Sequence, residues 1–252
     1  MEYFSILFTG EGLFYLLVLT LLEVVLGIDN IIFISIVTDK LPAEQKRKAR
    51  NIGLSLALVV RLILLSFVSY IMAMKNPLFT LFDHDFSGQS LVLLFGGLFL
   101  IYKSTVEMHS SIRGIAHDIK QSQKSKAMRG IIGQIILIDI VFSFDSIITA
   151  IGMTNEIGHN DPSKHPMVII FGAVIISMII MLLFAKPISD FINNRPTIKM
   201  IALSFLVTIG VILIAEGFGQ HLPKGYIYFA MTYALLVEFL NIRMRKNKGI
   251  SE

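Results

Sequence analysis

The stretch E-V-V-L-G-I-D-N-I-I, residues 23–32, places two carboxylates inside the apolar run Leu13–Thr38. That run is longer than the roughly 20 residues that an α-helix needs to cross the hydrocarbon core of a bilayer. Helices of soluble proteins are rarely apolar on every face over such a length. The stretch therefore predicts a transmembrane helix with acidic side chains, Glu23 and Asp29, near its centre.

Further apolar runs follow along the chain, at Leu54–Met74, Leu91–Val106, Ile131–Met153, Met167–Phe184, Met200–Ala215 and Tyr226–Ile242. Charged residues make up only 16% of the chain, against about 25% in soluble domains. The absence of cysteine excludes disulfides and thiolate metal sites. We predict an all-α, polytopic membrane protein with seven transmembrane helices in a single transmembrane domain, residues 1–252.

Basic residues alternate between the two sides of the predicted membrane. Of the Lys and Arg residues, 18 fall in the first, third and fifth loops and the C-terminal tail, and only 3 fall on the other side. Short basic loops stay in the cytoplasm, so we expect the N-terminus outside and the C-terminus in the cytoplasm. This placement also explains the pI of 9.2 without a nucleic-acid partner.

The opening motif has a second copy, D-I-V-F-S-F-D-S-I-I, at residues 139–148. Two matches downstream keep nearly the same offset: Asn76-Pro77 with Lys186-Pro187, and Glu107 with Glu216. Each copy holds three helices, an odd number, so the copies must insert in opposite orientations. Inverted repeats with matched polar interruptions are typical of secondary transporters. We predict two inverted three-helix repeats, at about residues 11–108 and 128–217, and a C-terminal seventh helix at about 224–243.

A carboxylate near the centre of a membrane helix costs about 2.5–3.5 kcal/mol on insertion scales. The two motifs together hold four such carboxylates, Glu23, Asp29, Asp139 and Asp145. A membrane protein tolerates four only if they face a polar interior. The predicted ligands are Glu23, Asp29, Asn30, Asp139, Asp145 and Ser146. Oxygen ligands favour Mg²⁺, Ca²⁺ or Mn²⁺, and every His lies outside the apolar runs, which argues against Zn²⁺. We expect a divalent cation as substrate and no tightly bound cofactor.

Helix geometry limits how the paired acids can act together. A spacing of six leaves two side chains about 120° out of alignment and about 9 Å apart along the axis. Gly27, between the first pair, permits the backbone to unwind, whereas Ser143 holds the matching place and is less permissive. We therefore expect a break in the first helix that exposes carbonyl oxygens as further ligands.

The alternative is a buried structural network. Arg61 lies deep in the second apolar run and needs a carboxylate partner, but it can neutralise one or two of the four acids at most. We interpret Arg61 as structural. Glu107 and Glu216 end the third and sixth runs, where an interfacial carboxylate costs little, so we assign them a supporting role only.

The two acidic motifs, together with P-K-G-Y-I-Y-F-A-M at residues 223–231, resemble the TerC family of bacterial integral membrane proteins. The resemblance covers nearly the whole chain and is greatest to the compact single-domain branch. It implies an inverted-repeat transporter of the bacterial plasma (inner) membrane, a role in Mn²⁺ efflux and a historical association with tellurite resistance. Longer members, in which the manganese role is best supported, carry transmembrane helices that this chain lacks.

We therefore predict a secondary transporter that exports Mn²⁺, with proton exchange as the driving force, and no enzymatic activity. Its expected partners are the lipid bilayer and the cation, while a homo-oligomer or a contact with the protein-export machinery stays open. One alternative is a non-transporting partner of that machinery with structural acids. Another is an intramembrane aspartyl protease, which needs two carboxylates that share a proton. Neither motif Asp lies in a GxGD-type sequence.

Overall fold

The computed structural model describes residues 9–81, 84–113, 124–160, 166–220, 222–223 and 225–247. Within these ranges a few side chains, Asp145 among them, lie outside the description. The elements, in chain order, are α1 Gly10–Thr38, α2 Ala43–Ser66, α3 Val68–Ala73, β1 Pro77–Leu81, β2 His84–Ser87, α4 Gly88–Ile112, α5 Lys124–Asn160, α6 Pro166–Asn193, α7 Pro196–Gly217 and α8 Gly225–Asn247.

In the described part of the chain, seven helices are long and apolar enough to cross a membrane, which confirms the predicted all-α architecture. These are all the helices except the short α3. Strands β1 and β2 pair antiparallel as a small hairpin between the second and third membrane helices. The membrane helices therefore follow the seven predicted apolar runs in order.

Helix α2 begins roughly three turns before the predicted run. It starts at Ala43, directly after Pro42, and its first turns carry basic residues that the hydropathy pattern assigns to the first loop. Lys and Arg have good helix propensity, so a hydropathy pattern misses the polar end of a helix. Lys46 there pairs with Asp39 at 2.6 Å. The prediction of the boundary was wrong, although the basic residues stay at the same end of the helix.

The expected break in the first helix is also wrong, because α1 is continuous from Gly10 to Thr38. A Cβ atom at Gly27 would collide with the sulfur of Met181 on α6. The absence of a side chain at Gly27 thus leaves room for the Met181 side chain against the α1 backbone. Close approach, and not unwinding, is the use of this glycine.

The chain divides into two compact units, of which the first comprises Met1–Gln89 and Asp118–Ser189. Here α5 packs against both α1 and α2. Gly53 of α2 lies against Ile135 of α5, and Arg61 of α2 donates a hydrogen bond to Ser143 of α5. Both pairs are separated by 82 residues in the sequence. Because the separation is constant along the two helices, α2 and α5 run in the same direction.

Because the short connection from α1 to α2 makes those two membrane helices antiparallel, α1 and α5 run in opposite directions. The two acidic motifs lie on this antiparallel pair. An inverted repeat requires such an opposition between its first helices, while the repeat itself stays a prediction.

The second unit comprises Ser90–His117 and Asp190–Glu252, and therefore holds most of α4 together with α7 and α8. A Cβ at Gly97 of α4 would lie 2.6 Å from the carbonyl oxygen of Gly210 on α7. Small residues at such positions let membrane helices pack closely. Gly97 therefore serves helix packing. Glu107, buried, and Glu216, half-buried, belong to this second unit.

Candidate cation site

One face of α1 carries Glu23, Gly27 and Asn30. Their spacings of four and three residues place them on the same side of the helix. Glu23 and Asn30 are 2% and 4% exposed. Asp29 is also buried, but it projects about 120° from Glu23 around the helix. The polar residue that shares this face with Glu23 is thus Asn30. It follows seven residues later and is only about 20° out of alignment with Glu23 around the helix.

The same spacing recurs on α5 in Asp139, Ser143 and Ser146, all of which are buried. Ser143 stands where α1 has Gly27, and Ser146 where it has Asn30. The Ser146 hydroxyl donates to the carbonyl oxygen of Ser143 at 3.3 Å, within its own helix. Asp145 belongs to the same helix, and its side chain lies outside the described part of the structure.

Arg61 of α2 ties the two faces together. Its Nη1 donates to Glu23 Oε2 at 2.6 Å, its Nη2 to Asp139 Oδ1 at 3.2 Å, and its Nε to Ser143 Oγ at 2.9 Å. The guanidinium is 2% exposed, so both ion pairs are removed from water. One guanidinium thereby binds a carboxylate from each acidic motif, and the expected structural role of Arg61 has a geometric basis.

Two further hydrogen bonds complete this network around Asp139. Asn30 Nδ2 donates to Asp139 Oδ1 at 3.1 Å, and Ser143 Oγ donates to Asp139 Oδ2 at 3.3 Å. Both oxygens of Asp139 therefore accept hydrogen bonds. We refer to Glu23, Asn30, Arg61, Asp139 and Ser143 as the Arg61 cluster.

The Arg61 cluster is unbalanced in charge. Two carboxylates share one guanidinium, so one negative charge remains when both acids are ionised. Within the described part of the chain, Glu23 Oε1 and Asn30 Oδ1 are buried and have no hydrogen-bond partner. A buried polar atom without a partner costs about 1–3 kcal/mol. Each of these two oxygens can accept a hydrogen bond from a water molecule or bind a cation.

The described residues do not assemble a site from acids alone, since no three His, Cys, Asp or Glu side chains among them are placed to hold one metal ion. A cation at the Arg61 cluster would need a neutral donor such as the Asn30 amide. That Asp29, Asp145 and Ser146 serve as cation ligands stays a prediction. Glu107 and Glu216 lie in the other unit, and their supporting role stays a prediction too.

Thr20 was not among the predicted site residues. Its hydroxyl is buried one turn before Glu23, on the same side of α1, and has no hydrogen-bond partner among the described residues. The signal was present in the sequence, because spacings of three, four and seven from Glu23 all return to one face. The predicted ligands are the acids and the polar residues directly beside them, and Thr20 is neither.

Residues 8–249 match the model of the family described as "Integral membrane protein TerC family". The chain belongs to the TerC family. This confirms the resemblance of the acidic motifs. The matched residues include all seven membrane helices.

Several relatives of this TerC-family chain are bacterial. The chain is 47% identical over 230 residues to the UPF0053 inner membrane protein YgdQ of Escherichia coli K12, covering 91% of this chain and 92% of that protein. It is 45% identical to a UPF0053 protein of Haemophilus influenzae, covering 94% and 95% of the two chains.

A longer relative is the UPF0053 inner membrane protein YoaE of E. coli K12, 45% identical over 232 residues, of whose length this chain spans 43%. No solved structure matches the TerC-family chain. The names of the relatives and the seven apolar helices identify it as a multi-pass bacterial inner membrane protein.

Proposed function

We propose that this TerC-family protein is a secondary transporter that exports a divalent metal cation through the Arg61 cluster, with Mn²⁺ as its main substrate. The observation that carries the proposal is that two buried carboxylates share one guanidinium, beside two acceptor oxygens that have no hydrogen-bond partner among the described residues. When both acids are ionised, one negative charge is left uncompensated. A buried charge without compensation is costly. A cation that visits the cluster would offset that cost.

The chemistry of the donors supports a divalent cation. Carboxylate and amide oxygens are the ligands of Mg²⁺, Ca²⁺ and Mn²⁺. The choice of manganese among these rests on the family resemblance. Carboxylates inside a membrane also serve as proton carriers, so protonation of the uncompensated acid would remove its charge when the cation leaves. This exchange supports proton-coupled export.

The arrangement of helices supports alternating access. The Arg61 cluster draws Glu23 and Asn30 from α1 and Asp139 and Ser143 from α5, two helices that run in opposite directions. In transporters built from inverted repeats, the substrate site lies where the repeats meet, near the middle of the membrane. Rocking of one repeat against the other would open the cluster to each side in turn.

The experiment is a flux assay with the purified protein in liposomes, loaded with a metal-sensitive dye and given Mn²⁺ outside. Glu23→Gln and Asp139→Asn remove charge with little change of shape, and we expect each to lower the Mn²⁺ flux by at least tenfold. The matched control is Asp190→Asn, an exposed carboxylate near the end of α6, which should retain the flux. No flux with the unsubstituted protein, or full flux in both cluster variants, would overturn the proposal.

The five hydrogen bonds of the Arg61 cluster favour one competing function. A membrane partner of the export machinery would use such a network only to hold its helices together. That protein would give no flux in any variant, and its cluster variants would lose stability alone. Cleavage of a transmembrane peptide by the same liposomes would instead support the aspartyl protease.

A further inference from the structure

Two methionines of α6, Met178 and Met181, are each 1% exposed in the first unit of the structure. Met181 is the one that lies nearest to the glycine in the first acidic motif. A Cβ placed on Gly27 would meet the sulfur, the methyl and the Cγ of Met181, and no other side chain ranks among its nearest contacts. The thioether of Met181 therefore lies directly against the α1 backbone.

The position of this sulfur along α1 is specific. Gly27 is four residues after Glu23 and three before Asn30, so it lies about 6 Å and 4.5 Å from them along the helix axis. All three residues share one face of α1. The Met181 sulfur is thus placed on that face between two residues whose Oε1 and Oδ1 atoms have no hydrogen-bond partner in the described part of the chain.

Methionine is commonly a flexible filler of apolar gaps. A filler needs only volume, and any aliphatic side chain of similar size would serve. Here the sulfur occupies space that the lack of a Cβ at Gly27 creates, on a face that carries a carboxylate and an amide. The position therefore places a soft donor on the same face of α1 as two hard ones, between them along the helix axis.

We infer that Met181 supplies a thioether ligand that makes the site prefer first-row transition ions such as Mn²⁺ and Fe²⁺ over Mg²⁺ and Ca²⁺. The inference rests on the proposed function and deepens it. Mg²⁺ and Ca²⁺ take oxygen ligands. Mn²⁺ and Fe²⁺ bind oxygen ligands too, but as first-row transition ions they tolerate a thioether ligand better than Mg²⁺ and Ca²⁺ do. Substituting sulfur for one water or oxygen ligand penalises the hard ions more. An all-oxygen site would lack this discrimination.

The test measures ion preference in liposomes, with Mn²⁺ flux recorded against rising Ca²⁺ or Mg²⁺ and, separately, against the soft ion Cd²⁺. Met181→Leu keeps the volume and removes the sulfur, and Met178→Leu is the matched control on the same helix. We expect Met181→Leu to lower the preference for Mn²⁺ over Ca²⁺ at least fivefold and to weaken inhibition by Cd²⁺. Met178→Leu should behave as the unsubstituted protein.

A second variant tests the inference independently, in case Met181→Leu does not fold. Gly27→Ala leaves the sulfur in the chain but displaces it from α1, and we expect the same loss of preference. If flux persists and neither variant changes the ratio of Mn²⁺ to Ca²⁺, the inference is overturned while the proposed function stands. If the unsubstituted protein transports no metal, both the proposed function and this inference are contradicted.

Discussion

Replacing Arg61 by Met tests the energetics of the cluster most sharply. The substitution removes three hydrogen bonds, to Glu23, Asp139 and Ser143, and leaves two buried carboxylates without a counter-charge. Removing one partner of a buried ion pair costs about 3–5 kcal/mol. We therefore expect Arg61→Met to lower the free energy of unfolding by about that amount.

The assay is thermal denaturation in detergent, followed by loss of the monodisperse gel-filtration peak. For a chain of 150–250 residues, 1 kcal/mol shifts Tm by about 2–4 °C, so the expected drop is about 6–20 °C. The triple variant Arg61→Met, Glu23→Gln, Asp139→Asn removes the charges together. It should recover at least half of the loss, because the main cost is an unpaired buried charge and not the missing arginine.

Two outcomes would refute this reasoning. A drop of less than about 2 °C in Arg61→Met would mean that the carboxylates find other stabilisation or are reached by water. A triple variant no more stable than the single one would mean that the arginine contributes by packing alone. Asp190→Asn, on an exposed carboxylate, provides the baseline and should leave Tm unchanged.

Other predictions follow from packing and topology. Gly97→Ala should destabilise the protein by about 1–3 kcal/mol, because its Cβ would lie 2.6 Å from a backbone oxygen of Gly210. Gly130→Ala, with nothing within 4 Å, should be neutral or gain up to about 1 kcal/mol, and thermal denaturation compares the two. Since the chain has no cysteine, a single cysteine at Gln220 should react in intact cells with an impermeant maleimide, and one at Asn194 should not. The reverse labelling would contradict the predicted orientation.

The sequence was sufficient for the features that depend on local composition. Apolar runs predicted the seven membrane helices, because the length of a bilayer span is fixed by its thickness. The cost of charge in hydrocarbon predicted that Glu23, Asp29 and Asp139 are buried, and they are. It also predicted that Arg61 pairs with one or two acids, and it pairs with two.

The rest depended on how distant segments meet. Hydropathy gave no sign that α2 starts at Ala43, because its first turns are polar yet helical. A glycine between two acids suits either a broken helix or a close neighbour, and only the position of Met181 decides for the neighbour. The sequence predicted both Asp29 and Asn30 as ligands, but only the structure shows that Asn30 makes the hydrogen bond across 109 residues to Asp139.

The most direct test of the account is to locate the metal. Crystals of the purified protein grown with Mn²⁺ should give an anomalous difference peak beside the Arg61 cluster, within about 2.0–2.6 Å of Glu23 Oε1 and Asn30 Oδ1. Glu23→Gln crystals should lose that peak. A strong manganese peak elsewhere in the membrane helices, with the cluster unaltered and no density at its two oxygens, would contradict the claim that this cluster carries the cation.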